Sequence, residues 1–145
     1  MSAAAATGYS GTPLPQKLGL KDGQRVLFIA LPKSLNELRK ARHFLEMAQA
    51  GWETWRDGEP GYDLIHAFTA RRADLEENGR ALMDNIQRDG TVWISWPKKA
   101  SKVPTDITED VIREVLLPVG LVDVKVAAVD ETWSGLKLVI RKELR

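Results

Sequence analysis

Cysteine is absent from the 145 residues, and histidine occurs only at His43 and His66. Disulfides, thiolate nucleophiles and Cys-built zinc sites are thereby excluded, as is a metal site made of three histidines. Charge of one sign is lacking too. Lys and Arg number 21 against 20 Asp and Glu, a net charge of +1, so no whole-surface field drives binding and any charge that matters is local. The longest apolar run, Val26 to Leu31, falls far short of the ~20 residues that span a bilayer. No Lys or Arg precedes Lys17, so the charged-then-apolar order of a signal peptide is missing and a cytoplasmic protein is expected, with no membrane contact.

What is present is an ordinary globular composition, 43% hydrophobic and 28% charged. A chain of this length forms one domain and buries roughly 70% of its unfolded surface without staples. Residues 1–12 lack periodicity and are read as a flexible tail, leaving 13–145 as a single domain.

The periodicity then alternates between strand and helix. Arg25 to Ala30 (RVLFIA) is apolar on both faces after its first residue, as in a strand covered on both sides. Ser34 and Glu37 have capping-box spacing, and Leu35, Leu38, Ala41, Leu45 and Ala48 predict a helix from 35 to 50. Trp52 to Asp57 reads as a short strand or as irregular chain, with Lys33 to Gly61 as one long crossover. Tyr62 to Phe68 (YDLIHAF) is a second buried strand. A helix over 71–88 follows, with Gly79 allowing close approach to the sheet, and Asp89-Gly90 closing it. Thr91 to Trp96 (TVWISW) is a third strand ended by Pro97. Asp106 caps a helix through Leu117. Alternation over 122–128 and 136–140, around a turn at 130–135, forms a hairpin. The sum is an α/β, three-layer fold with a mainly parallel sheet and an antiparallel C-terminal hairpin.

This order, with YDLIHAF and RDGTVWISW as its fourth and fifth strands, resembles a truncated class I methyltransferase-like (Rossmann-like) fold. The stretches SGTPLPQKLGLKDG, SWPKKASKVPTDITEDVIRE and VDETWSGLKLVIRKELR also resemble a family of short bacterial proteins designated a domain of unknown function, which implies a fold and a bacterial cytosolic setting but no reaction. The methyltransferase resemblance implies a glycine-rich turn after the first strand, where backbone passes beneath the carboxylate and ribose of adenosylmethionine. This chain has Leu31, Pro32, Lys33 and Ser34 there, and Pro32 removes an N–H donor. No cofactor is therefore expected, adenosylmethionine at micromolar concentration included. Glu53 or Asp57 is weighed as the acid that grips a ribose, against the plainer reading of a solvated strand-end acid.

Catalytic templates are missing: no GxSxG, Walker loop or GxGxxG occurs, and Gly8-Tyr9-Ser10-Gly11 resembles a nucleophile motif only superficially. His66, inside an apolar strand, reads as a structural core histidine, and His43 as a surface residue. In open α/β sheets ligands bind beyond the carboxyl ends of the strands. The topology sends Lys33, Arg71, Arg72, Lys98, Lys99 and Lys102 to that edge, where they are either plain solvated cations or a crevice for an anionic small molecule, a nucleotide or, more weakly, single-stranded nucleic acid. Trp96 would add a stacking surface there. Trp133, in a turn, is a candidate anchor for a protein partner. Three functions stay open: a non-catalytic domain binding an anionic ligand or a partner, a divergent adenosylmethionine-dependent methyltransferase with a nonstandard cofactor pose, and a structural or assembly protein.

Overall fold

The computed structural model describes residues 11–145, so all but the end of the expected tail, and most of the Gly8 to Gly11 stretch, lie outside the described residues. A short helix, α1 (Leu14–Lys17), leads into β1 (Arg25–Ile29), followed by β2 (Glu46–Ala50), β3 (Tyr62–Phe68), α2 (Arg72–Asp84), β4 (Ile86–Pro97), α3 (Glu109–Leu116), β5 (Leu121–Ala128) and β6 (Trp133–Ile140). The strands form one six-stranded sheet in the order β2-β1-β3-β4-β6-β5. Neighbouring pairs from β2 to β4 are parallel, and β6 is antiparallel to both β4 and β5.

Period-two alternation sorts the strand residues into two cores. Leu27, Ile29, Ile65, Ala67, Val92, Ile94 and Trp96 face one layer, closed by α2 and α3 through Leu75, Leu82, Ile112 and Leu116. Val26, Phe28, Leu64, Phe68 and Trp93 face the other, closed by Leu18 and Leu20 near α1 and by Leu35 and Leu38. Both faces are covered, which is what the uninterrupted apolar runs of β1 and β3 require. Gly135 is fixed by close approach: a Cβ there would stand 3.1 Å from both Ser95 Oγ and the Trp93 ring. Gly79 admits α3 rather than the sheet, since its Cβ would meet Leu116 Cδ2 at 2.9 Å.

The helix expected over 35–50 does not form. Residues Lys33–Lys40 make 3₁₀ turns kinked at Leu35, and Ser34 caps nothing, the N-cap position being Pro32. Glu46 to Ala50 instead pairs in parallel with Arg25 to Ile29. Long-range bonds recruit this segment: Gly23 N–H donates to His43 O, and the N–H groups of Leu45 and Glu46 both reach Gln24 O. The His43 N–H is taken by the Asp22 carboxylate at 2.7 Å. A sheet partner outweighs an isolated helical repeat whose own stability is marginal at that length. Lys33 to Gly61 is thus not one crossover but two connections around a strand. Trp52 to Asp57 is no strand; it holds a 3₁₀ turn over Trp55–Asp57.

Two boundaries also shift. Helix α2 ends at Asp84, and Asp89-Gly90 lies within β4, whose pairing with β3 is irregular between Tyr62 and Leu64. Thr108, not Asp106, caps α3 by accepting from the Val111 N–H. Asp106 accepts the Arg72 N–H at the start of α2. Among the described residues no helix is long and apolar enough to cross a membrane.

Candidate functional site at the carboxyl edge of the sheet

From β1 the chain turns toward β2 at one side, and from β3 toward β4 at the other. The carboxyl ends of β1 and β3 therefore flank the switch point where open α/β sheets leave a crevice. Ala30, directly after β1, has φ 56° and donates its N–H to Ala50 O at 2.8 Å. A left-handed alanine is strained, by about 1 kcal/mol. Here the turn has the backbone that glycine favours without the glycine.

Beside that turn, Trp52 leaves the end of β2 and its indole N–H donates to Phe68 O, at the end of β3, at 2.9 Å. The side chain thereby bridges the ends of β2 and β3, with β1 between them. Next to it a cleft of about 460 Å³ is lined by Trp52, Glu53, Arg56, Asp57, Arg71, Asp74, Glu77 and Asn78.

One wall is a closed hydrogen-bond network. Asn78 Oδ1 accepts from Trp55 Nε1 at 3.0 Å and from Arg56 Nη2 at 2.8 Å. The Asn78 amide donates to Asp74 O, and Thr69 Oγ donates to the Asp74 carboxylate at 2.6 Å while accepting the Arg71 N–H. Buried polar groups satisfied this fully hold their geometry. Arg56, spread over Asn78, the Glu77 carbonyl and the Trp55 ring, is structural. By contrast, the side chains of Arg71, Glu53, Asp57 and Glu77 make no hydrogen bond or ion pair among the described residues and are available to a ligand. Carboxylates accept from sugar hydroxyls, and a guanidinium matches a phosphate or carboxylate bidentately.

The sequence-predicted cations are dispersed around the edge. Arg71 lines the cleft. Arg72 turns to the α3 side, ion-paired with Glu76 at 2.8 Å and Glu114 at 2.7 Å, which raise its pKa through hydrogen bonds. Lys33 is exposed at the start of the 3₁₀ segment. Lys98 precedes a 3₁₀ turn and donates its N–H to Thr132 O. Lys99 lines a separate depression of about 250 Å³ with Trp96, Pro97, Thr105, Ile107 and Glu109. Lys102 ends the turn in a left-handed conformation, exposed. Trp96 is 8% exposed within the α2/α3 core. Trp133 is half-buried, its ring edge-on to Phe68 at 5.3 Å, and its N–H is held by Asp130.

His66 is buried, as expected of a structural residue. Its Nε2 lies 2.6 Å from Ser95 Oγ, its ring stacks on Phe68 at 4.3 Å, and Nδ1 has no partner among the described residues. Burial pushes its pKa down to about 3, so the ring is neutral at physiological pH. His43 is exposed. No group of three or more metal-ligating side chains occurs among the described residues.

Sequence reasoning missed Trp52, Thr69, Asp74 and Asn78. A signal for two of them was there: Asp74 and Asn78 sit on the inward stripe of α2 with Leu75, Gly79 and Leu82. Polar residues four apart on a buried face imply a network.

No family model and no curated protein matches the chain. Among solved structures it is similar to the ribosomal protein L11 methylase of Lactobacillus delbrueckii subsp. bulgaricus, with a TM-score of 0.62 at 14% identity over 88% of this chain and 75% of that one. A SAM-dependent methyltransferase of Aquifex aeolicus gives 0.60 at 17% identity over 86% of each chain. A TehB-like SAM-dependent methyltransferase of Corynebacterium glutamicum gives 0.56 at 14% identity over 94% of this chain and 92% of that one. The fold is that of the class I methyltransferases, in a short version.

Proposed function

We propose that this domain binds a nucleoside-type small molecule in the cleft beside the switch point of its methyltransferase-like sheet, without transferring a methyl group. The carrying observation is the cleft itself, where a tryptophan and uncommitted carboxylate and guanidinium groups converge on a satisfied hydrogen-bond network at the ligand edge of the fold. Glu53, three residues past the end of β2, is the acceptor for a ribose diol. Trp52 offers an apolar wall to a base, and Arg71 takes an anionic substituent.

The residues suit a nucleoside better than they suit the amino-acid end of adenosylmethionine in its usual pose. Where that end would meet backbone donors, the chain carries Leu31, whose side chain is buried, and Pro32, which has no N–H. No step of methyl transfer is assigned to any residue on this reading. The likeness to SAM-dependent methyltransferases favours a second reading, a divergent methyltransferase that holds its cofactor through the β2 and β3 ends instead of the turn after β1.

Calorimetric titration with adenosine, adenosine monophosphate, adenosylhomocysteine and adenosylmethionine tests both. The proposal expects saturable 1:1 binding of at least one of the four, weakened at least tenfold by Glu53→Ala or Arg71→Ala. Binding confined to the two adenosylmethionine-type ligands, with a methylated product, would establish the second reading. No saturable heat from any of them would overturn both.

A further inference from the structure

The face of the sheet covered by α1 carries a feature unrelated to the cleft. Lys125 on β5 and Lys137 on β6 are direct cross-strand partners. Lys137 lies between Leu136 and Leu138, both of which face the α2/α3 core, so it projects to the opposite face, where its β4 partner Trp93 also packs. Like charges directly opposite each other in a sheet are destabilising, so this pair persists against its local energetics.

Further lysines extend the row at both ends. Toward the start of β6, Lys17 Nζ donates to Ala128 O at 3.1 Å. Lys98 is bonded through its N–H to Thr132, the residue before β6. Toward the other end, Lys21 and Lys137 line a shallow cleft of about 300 Å³ with Gln24, Asp63 and Asp89. Burial first, then the charges of Lys98 and Lys125, lower the Lys17 pKa; burial, then Lys125 and Lys21, lower that of Lys137. From Lys137 to the start of β6 is four residues of strand, about 13 Å.

Among the described residues, the ion pairs are made by Arg25, Arg72, Arg80 and Arg113; Lys21, Lys98, Lys125 and Lys137 enter none. Two carboxylates adjoin the row at its Lys21 end. Asp63 already accepts the Arg25 N–H at 2.8 Å, and Asp89 lines the cleft itself.

We propose that Lys98, Lys125, Lys137 and Lys21 form a linear binding surface for the phosphate backbone of single-stranded nucleic acid, laid along β5 and β6 on the α1 side. A row of cations longer than one phosphate calls for a ligand whose charge repeats along its length. Lysine supplies point charges that meet phosphates without reading bases. A protein partner fits less well, because protein interfaces are enriched in arginine and aromatics and depleted in lysine, and this row has no arginine. The surface is independent of the nucleoside cleft and stands or falls separately from it.

The test is fluorescence anisotropy of a labelled oligouridylate of about 12 nucleotides, titrated with the full chain at several salt concentrations. Binding should weaken at least tenfold in the K125Q/K137Q double variant, and the slope of log K against log salt should flatten by about 1.4. Removing a repelling pair should leave the melting temperature unchanged or raised. If that variant does not fold, K21Q/K98Q, altered outside the strands, should show the same losses. Absence of binding at about 50 mM salt, equal binding by wild type and folded variant, or tighter binding of polyglutamate than of oligouridylate at matched charge would overturn the proposal, the last in favour of an acidic protein.

Discussion

The indole N–H of Trp52 donates to the carbonyl of Phe68 at 2.9 Å, tying the end of β2 to the end of β3. Phe68 presents its ring to the opposite layer, stacked on His66 and edge-on to Trp133. One residue thus serves the cleft with its backbone and the core with its side chain.

Replacing Trp52 with Phe keeps an aromatic wall and removes the donor. The Phe68 carbonyl then relies on water, and the loss should be about 1 kcal/mol of stability. Urea unfolding monitored by far-UV circular dichroism measures it. A midpoint equal to that of the wild type would mean that the bond contributes nothing.

Acid should weaken the fold through His66. Its pKa is about 3 in the folded chain and about 6.5 unfolded. Below pH 6.5 the unfolded chain takes up a proton that the folded chain refuses, so this contribution is complete above pH 6.5 and lost as pH falls toward 3. At pH 5 the loss is about 2 kcal/mol. Denaturant unfolding at pH 7 and pH 5 should show it in the wild type, and His66→Gln should remove that part of the difference. A wild-type stability flat across this range would refute the assignment of a neutral buried ring.

Ala30 occupies a left-handed position at the end of β1. Ala30→Gly should relieve strain of about 1 kcal/mol, offset in part by the greater freedom of glycine in the unfolded chain. Thermal unfolding should therefore show an unchanged or higher midpoint, where Gly for Ala at an ordinary strand end would lower it.

Several elements were legible because their signals are local. The buried strands RVLFI, YDLIHAF and TVWISW, helix α2 and the hairpin announce themselves by apolar runs, periodicity and turn residues. Strand β2 was not, because EMAQA carries no β-branched residue and its apolar positions continue the helical spacing begun at Leu35. What makes it a strand is a partner, β1, and the bonds of residues 43–46 to Asp22, Gly23 and Gln24. The error also blurs the cleft: Glu53 and Asp57 are weighed as strand-end acids of a segment, 52–57, that is no strand, and Trp52 has no role, whereas with β2 in place Trp52 and Glu53 follow a strand at the carboxyl edge of the sheet. The cations were legible as residents of that edge, but their partners were not. Arg72 is claimed by Glu114, which is 42 positions away in sequence.

The most direct measurement of the central claim uses the five tryptophans as reporters. In a ¹⁵N-labelled sample titrated with adenosine and with adenosine monophosphate, the Trp52 indole N–H resonance should move with a saturable 1:1 isotherm. The Trp93 indole, buried and bonded to Leu18 O, should stay in place. Movement of the Trp52 signal that Glu53→Ala and Arg71→Ala suppress is the predicted result. A Trp52 resonance unmoved to millimolar concentration of both ligands, or shifts confined to Trp96 and Trp133, would contradict the assignment of the cleft as the binding site.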